Sequence, residues 1–150
     1  MIQGIIIKEL AKHPDDRGWL SEIYRSDETA YKPAMAYVSY SNYNFIRGPH
    51  EHRKQSDFFV FTGPGEFILY LWDNRKKSPT YKQRMRLEVG KKPISILIPP
   101  GVVHAYKCVS KNGGFNINLP DTLYRGEGKK EEVDEIRHEN TPGTDFKPWD

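Results

Sequence analysis

Short runs of β-branched and aromatic residues, cut at regular intervals by turn-forming residues, leave this chain few folds to adopt. The runs are Gly4–Leu10, Trp19–Tyr24, Met35–Asn42, Phe58–Thr62, Glu66–Trp72, Tyr81–Leu87, Ile94–Ile98, Val103–Val109 and Gly114–Leu119. Such residues suit a pleated, half-buried surface. Between them stand Gly63-Pro64-Gly65, Asp73-Asn74-Arg75, Gly90-Lys91-Lys92-Pro93, Pro99-Pro100-Gly101 and Lys111-Asn112-Gly113-Gly114. Glycine supplies positive φ, proline pre-sets φ, and Asn and Asp bond their own backbone. Asn112-Gly113 is a hairpin signal in its own right. No long segment carries a 3.6-residue apolar period; only Lys129–Glu139 reads as a short polar helix, with a thin apolar face. The pattern predicts an all-β sandwich or barrel.

A chain of 150 residues most simply forms one domain, here residues 1–150, and shows no linker, repeat or low-complexity tract. The net charge of +3 comes from scattered Lys and Arg, which argues against a nucleic-acid surface and leaves room for a local anion site. A single cysteine, Cys108, excludes an internal disulfide and reads as a packed core thiol. No stretch approaches 18 consecutive apolar residues, and Met1-Ile2-Gln3-Gly4 lacks a basic leader, so a cytoplasmic protein that does not enter a membrane is expected. The tail from Asn140 to Asp150 is irregular, and its Phe146 and Trp149 are expected to dock on the domain or on a partner subunit.

Function is concentrated in Arg47-Gly48-Pro49-His50-Glu51-His52, which reads as the start of a strand. Residues i and i+2 of a strand share a face, so His50 and His52 project together, with a guanidinium three residues before the first. A basic group beside two imidazoles suits an anionic ligand at a proton-transfer or metal centre. Ile98-Pro99-Pro100-Gly101-Val102-Val103-His104 supplies a third histidine.

Four segments together resemble the nucleotide-sugar epimerases typified by dTDP-4-dehydrorhamnose 3,5-epimerase. They are Asp16-Arg17-Gly18-Trp19-Leu20-Ser21-Glu22, Ile46-Arg47-Gly48-Pro49-His50, Asp73-Asn74-Arg75 running to Ser78-Pro79-Thr80-Tyr81, and Ile98 to His104. The resemblance implies a cupin jelly-roll β barrel, an isomerase that needs no cofactor, and a homodimer in which an N-terminal strand, here Gly4–Leu10, crosses to the partner. It implies that Arg17 and Arg47 bind the diphosphate, that Glu22 helps hold the base, that His50 is the catalytic base and that His104 lines the same pocket. Where the family places an enolate-stabilising lysine, this chain has Asp57. The family's general-acid tyrosine falls near Ile117, which leaves Tyr106 or Tyr124 to substitute. One of Tyr37, Tyr40 and Tyr43 could stack on the nucleotide base, Tyr37 being the candidate.

The chemistry required is removal of a proton α to a carbonyl, which needs a base and a stabiliser for the enolate. Imidazole is the natural base, since its unperturbed pKa is about 6.5. His104 could stabilise the enolate; an ionised Asp57 would repel it but could orient an imidazole. Three other readings stay open. The pair His50 and His52 resembles the sugar 3,4-ketoisomerases, which use two histidines for proton transfer. His50, His52, Asp57 and His104 also match a metal-binding cupin set, suited to Mn, Fe, Ni or Zn. A sugar-binding cupin without catalysis is the last.

Overall fold

The computed structural model describes residues 1–149. Twelve strands follow one another: β1 (Ile6–Glu9), β2 (His13–Asp15), β3 (Gly18–Leu20), β4 (Tyr37–Ser41), β5 (Ile46–Glu51), β6 (Asp57–Phe61), β7 (Phe67–Asp73), β8 (Arg84–Val89), β9 (Ile94–Ile98), β10 (Val102–Cys108), β11 (Gly114–Asn118) and β12 (Ile136–Arg137). The helical elements among the described residues are two 3₁₀ turns, Glu127–Lys129 and His138–Asn140. One sheet runs β1-β9-β6-β11-β4 and the second β12-β5-β10-β7-β8, while β2 and β3 form a separate hairpin. Every pairing is antiparallel. This is the all-β barrel that the turn-punctuated sequence predicts, in the cupin jelly-roll form that the family resemblance implies.

Strand β7 shows why the barrel holds. Its Phe67, Leu69 and Leu71 point between the sheets, where they meet Phe59, Phe61, Ile96, Ile98, Val102 and Cys108. Its Tyr70 and Trp72 point outward with Val103 and Ala105 of β10. The chain tail covers that outer face: Trp149 packs edge-on to Tyr70 and Trp72, with ring centroids 5.3 and 5.4 Å apart, and Phe146 meets Trp72 at 6.0 Å. Burying both faces explains why this strand reads as a continuous apolar run rather than an alternating one. On the first sheet, Tyr31 stacks on Phe58 at 5.4 Å and covers part of the outer face. The outer residues Val38, Tyr40 and Phe115 stay exposed.

Several boundaries differ from the sequence reading. The run Trp19–Tyr24 is strand only over Gly18–Leu20, and Tyr81–Leu87 becomes strand only at Arg84, because Tyr81 and Lys82 complete a turn in which the Lys82 amide donates to the Asp73 carbonyl. The polar helix expected over Lys129–Glu139 does not form. Instead Ile136 and Arg137 pair with Glu51 and His50, so ladder hydrogen bonds replace helical ones. The expected N-terminal strand is real but shorter, and β1 pairs with β9 of its own chain. No helix of the described residues is long and apolar enough to cross a membrane.

Candidate active site

The site lies where one end of β5 meets β10. His50 is directly opposite His104 in the antiparallel register. The two strands come unusually close there. A Cβ on Gly48, whose φ is +86°, would stand 2.5 Å from the His104 carbonyl oxygen, so only glycine fits. A register shift between His104 and Tyr106 marks a bulge at this point, a common device for re-aiming side chains beside active sites. Thus His50 sits near the end of its strand, not the start. His52 follows just after it, and Glu51 between them points to the other face, where it accepts hydrogen bonds from Asn74 Nδ2 (2.8 Å) and His138 Nε2 (2.9 Å).

Asp57 opens β6 in the opposite sheet and is 2% exposed. Its Oδ2 lies 3.2 Å from His52 Nε2 and 3.1 Å from His104 Nε2. Its Oδ1 accepts from Gln55 Nε2 and from Asn118 Nδ2, both at 2.8 Å. Two of the three outer nitrogens are hydrogen-bonded as well, and the third faces a carboxylate. His104 Nδ1 donates to the Val102 carbonyl (3.1 Å), His52 Nδ1 donates to the Asp134 carbonyl, and His50 Nδ1 lies 3.8 Å from Glu135 Oε1.

These contacts set opposite charge states on neighbouring rings. For Asp57, burial alone would raise the pKa, but the bonds to His104 and His52 outweigh it and hold the carboxyl well below its usual range. Burial would lower His52, yet the hydrogen bond and charge of Asp57 and the Asp134 carbonyl prevail and raise it to about 9. His50 goes the other way: burial and the neighbouring His104 lower it to about 2, with Asp57 offsetting only part and His52 and Arg137 adding to the fall. At neutral pH His52 is therefore cationic and His50 neutral.

A cavity of about 1260 Å³ opens above this cluster. Tyr37, Ser39, Arg47, His50, His52 and Tyr106 form its barrel side, and Tyr124, Arg125, Glu135 and Arg137 its far side. His104 and Asp57 lie beneath the wall, supporting it. Arg47 is braced by Ser41 Oγ (3.1 Å) and the Tyr40 carbonyl (2.7 Å), with no carboxylate partner among the described residues, which leaves its charge for a ligand. Tyr106 is 3.0 Å from Ser39 Oγ, and burial raises its pKa, so its hydroxyl stays protonated. Tyr37 accepts from Asn118 Nδ2 at 2.9 Å, whereas Tyr40 and Tyr43 lie outside the cavity lining.

Two expected binding residues are elsewhere. Arg17, 90% exposed at its side chain, pairs with Asp15 at the tip of the β2–β3 hairpin, and Glu22 pairs with Arg25 at 3.0 Å; neither lines the cavity of its own chain. Four residues that complete the cluster were not legible beforehand: Gln55, Asn118, Asp134 and Glu135. The Asp134 carboxylate accepts from the amides of Arg53, Lys54 and Gln55 at 2.8–3.0 Å and so fixes the loop after His52. Only Asn118 left a signal, as one of two asparagines, with Asn116, on the inward positions of a strand.

Relatives point the same way. A spore coat polysaccharide biosynthesis protein of Bacillus subtilis is 37% identical over 114 residues, covering 74% of each chain. A probable low-salt glycan biosynthesis epimerase of Haloferax volcanii is 30% identical over 135 residues, covering 87% of this chain and 86% of that one. In fold, a dTDP sugar isomerase of Desulfovibrio desulfuricans superposes with a TM-score of 0.81 at 21% identity, over 91% of this chain and 84% of that one. The sequence family described as dTDP-4-dehydrorhamnose 3,5-epimerase matches residues 1–134, and with these relatives it establishes that this chain belongs to the dTDP-4-dehydrorhamnose 3,5-epimerase family.

Proposed function

We propose that the protein is a nucleotide-diphospho-4-keto-6-deoxyhexose epimerase in which His50 removes the proton α to the 4-keto group, without a cofactor. The observation that carries this reading is a neutral His50 on the cavity wall beside a cationic His52 and an unpaired Arg47. Arg47 supplies the planar fork that phosphate oxygens match. As the proton leaves carbon, negative charge grows on the carbonyl oxygen, and a fixed imidazolium in a sheltered pocket stabilises it where the family uses lysine. An imidazole held near 2 by burial and neighbouring charge is by itself a weak acceptor. The enolate formed in the same step offsets the neighbouring positive charge, so the proton is better held once substrate reacts. Glu135 lies 3.8 Å from Nδ1 on the other side of the ring, where its charge favours His50 once it has taken the proton. Tyr106, protonated and on the wall, is the group to return a proton, with Tyr124 at the mouth.

Arg17 and Glu22 take part only if a second copy of the chain brings them to the cavity, as a homodimer would. The exposed outer residues Val38, Tyr40 and Phe115 give such a dimer an apolar surface. A 3,4-ketoisomerase is the second reading, favoured by the placement of His50 and His52 on one cavity wall with ring centroids 5.9 Å apart.

Proton NMR of dTDP-4-keto-6-deoxyglucose in D₂O with the protein is the test. Deuterium should enter at C3, C5 or both, the carbons beside the carbonyl, with inversion there; a carbonyl moved to C3 would establish the ketoisomerase instead. His50→Asn should slow exchange by ~10²–10⁴-fold, the usual contribution of a positioned base, and leave nucleotide affinity unchanged. Undiminished exchange in that variant removes His50 from the chemistry.

A further inference from the structure

We infer that Ser39 and Asn116 are positioning residues for Tyr106: they hold its hydroxyl proton in the resting site and stabilise the oxygen that the proton leaves. This rests on the reading of Tyr106 as the acid of the proposed epimerase. Ser39 on β4 and Asn116 on β11 stand opposite one another in the antiparallel register. Tyr106 reaches them from β10 of the other sheet, its hydroxyl 3.0 Å from Ser39 Oγ. Tyr106 and Ser39 line the cavity, whereas Asn116 is 2% exposed and lies outside the lining.

The direction of this chain follows from its hydrogens. A serine hydroxyl carries one, and that of Ser39 goes to Asn116 Oδ1. Tyr106 is therefore the donor in its contact with Ser39. Asn116 Nδ2 is buried and makes no hydrogen bond in this arrangement. A buried donor left idle is costly, and an apolar side chain would fill an inward strand position without that cost. What the amide offers instead is a donor for charge that appears only during the reaction. The surroundings of the Tyr106 oxygen agree. Burial raises its pKa, while Ser39, Arg47 and Asn116 favour the ionised form and Asp57 opposes it. The titratable and charged groups facing it are thus Arg47 of β5, Asp57 of β6 and Tyr37 of β4.

In the reaction, His50 breaks the C–H bond and takes the proton on nitrogen, leaving the enolate. The enolate π pair then forms a new C–H bond with the Tyr106 proton and the carbonyl returns. The O–H pair stays on Tyr106 as phenolate. Ser39 needs only to turn its hydroxyl from Asn116 Oδ1 to that oxygen, and the Nδ2 hydrogens are uncommitted. Donors that meet charge only as it develops lower the barrier rather than tighten ground-state binding. Loss of the imidazolium proton to water and return of one to the phenolate reset the site.

The test follows deuterium entry and inversion separately, by proton NMR of dTDP-4-keto-6-deoxyglucose in D₂O. His50 alone can return a deuteron to the face it deprotonates, which exchanges without inverting. Tyr106→Phe should keep exchange and cut inversion by ~10²–10⁴-fold, the usual contribution of a positioned acid. Ser39→Ala and Asn116→Leu should cut inversion by ~10–100-fold, the worth of a hydrogen bond to a charge, with exchange and KM unchanged. Ser39→Thr keeps the hydroxyl and should restore inversion. A role in packing alone would lower exchange and inversion together. If Asn116→Leu lacks the native β spectrum by circular dichroism, Ser39→Ala and Ser39→Thr carry the test. Inversion that survives Tyr106→Phe, or that falls no further than exchange in Ser39→Ala, overturns the inference and leaves His50 as base. A parent protein that exchanges no deuterium overturns the epimerase reading and this inference with it.

Discussion

On the floor of the cavity, Asp57 and His104 are 2% and 1% exposed, and the carboxylate is ringed by four nitrogen atoms from three separate parts of the fold. On the far wall, Tyr124 is 54% exposed, and its neighbours Arg125, Glu127 and Lys129 reach into solvent from turns rather than strands. The floor is a buried polar network inside a barrel, where removing one member strands the others in a poor dielectric. The wall has little buried around it to lose. Substitutions on the floor should therefore be felt in folding, and those on the wall and rim in ligand binding alone.

Asp57→Ala is the strongest way to break this contrast. It leaves two buried imidazoles without their carboxylate, and breaking a buried pair in this manner costs ~3–5 kcal/mol. Urea denaturation should show that loss; a variant as stable as the parent would mean that the floor is not the structural knot described. Arg47→Ala comes next, and on the other side of the divide. Its affinity for dTDP should fall by about 1.5–3 kcal/mol, the worth of hydrogen bonds to a charged group, while its denaturation midpoint stays put.

Asp134 sits on the boundary, since its carboxylate fastens the loop beneath His52 from the wall side. Asp134→Ala should destabilise by ~1–2 kcal/mol at pH 7, discounted for partial exposure. Burial raises its pKa, but the three amides outweigh this and lower it. A lowered folded pKa contributes stability above the unfolded value of about 3.9, which is lost as pH falls through the folded one. The gap between variant and parent should therefore be full at pH 7 and close below about pH 4; a gap that persists in acid would assign it to packing. Tyr124→Ala should have the smallest effect, weakening nucleotide binding by ~0.5–1.5 kcal/mol if its ring meets the base and changing stability not at all.

The sequence exposed the barrel more fully than the site, for a physical reason. A strand buried on both faces, such as Phe67–Asp73, announces itself by composition. The strand that carries His50 does not, because Gly48 and Pro49 interrupt it and both are poor strand residues. Gly48 is there because β5 must approach β10 closely. The three histidines were legible from i, i+2 spacing and from the turn before His104. Glu135 was not, since nothing in an acidic stretch tells that a two-residue ladder with β5 will place one of its members against an imidazole 85 positions earlier in the chain. The helix expected there failed because pairing with an open strand edge outweighs a weak local preference.

That two-residue ladder also fixes an order of events during synthesis. Strands β1 to β11 complete both sheets of the barrel except for β12, and residues 120–139 leave the ribosome after all of them. Residues up to Cys108 thus contain the main hydrophobic cluster without Glu135 and Arg137, which the β12 segment alone brings to the cavity. Closing the core and closing the cavity are therefore tasks of two different stretches of the chain.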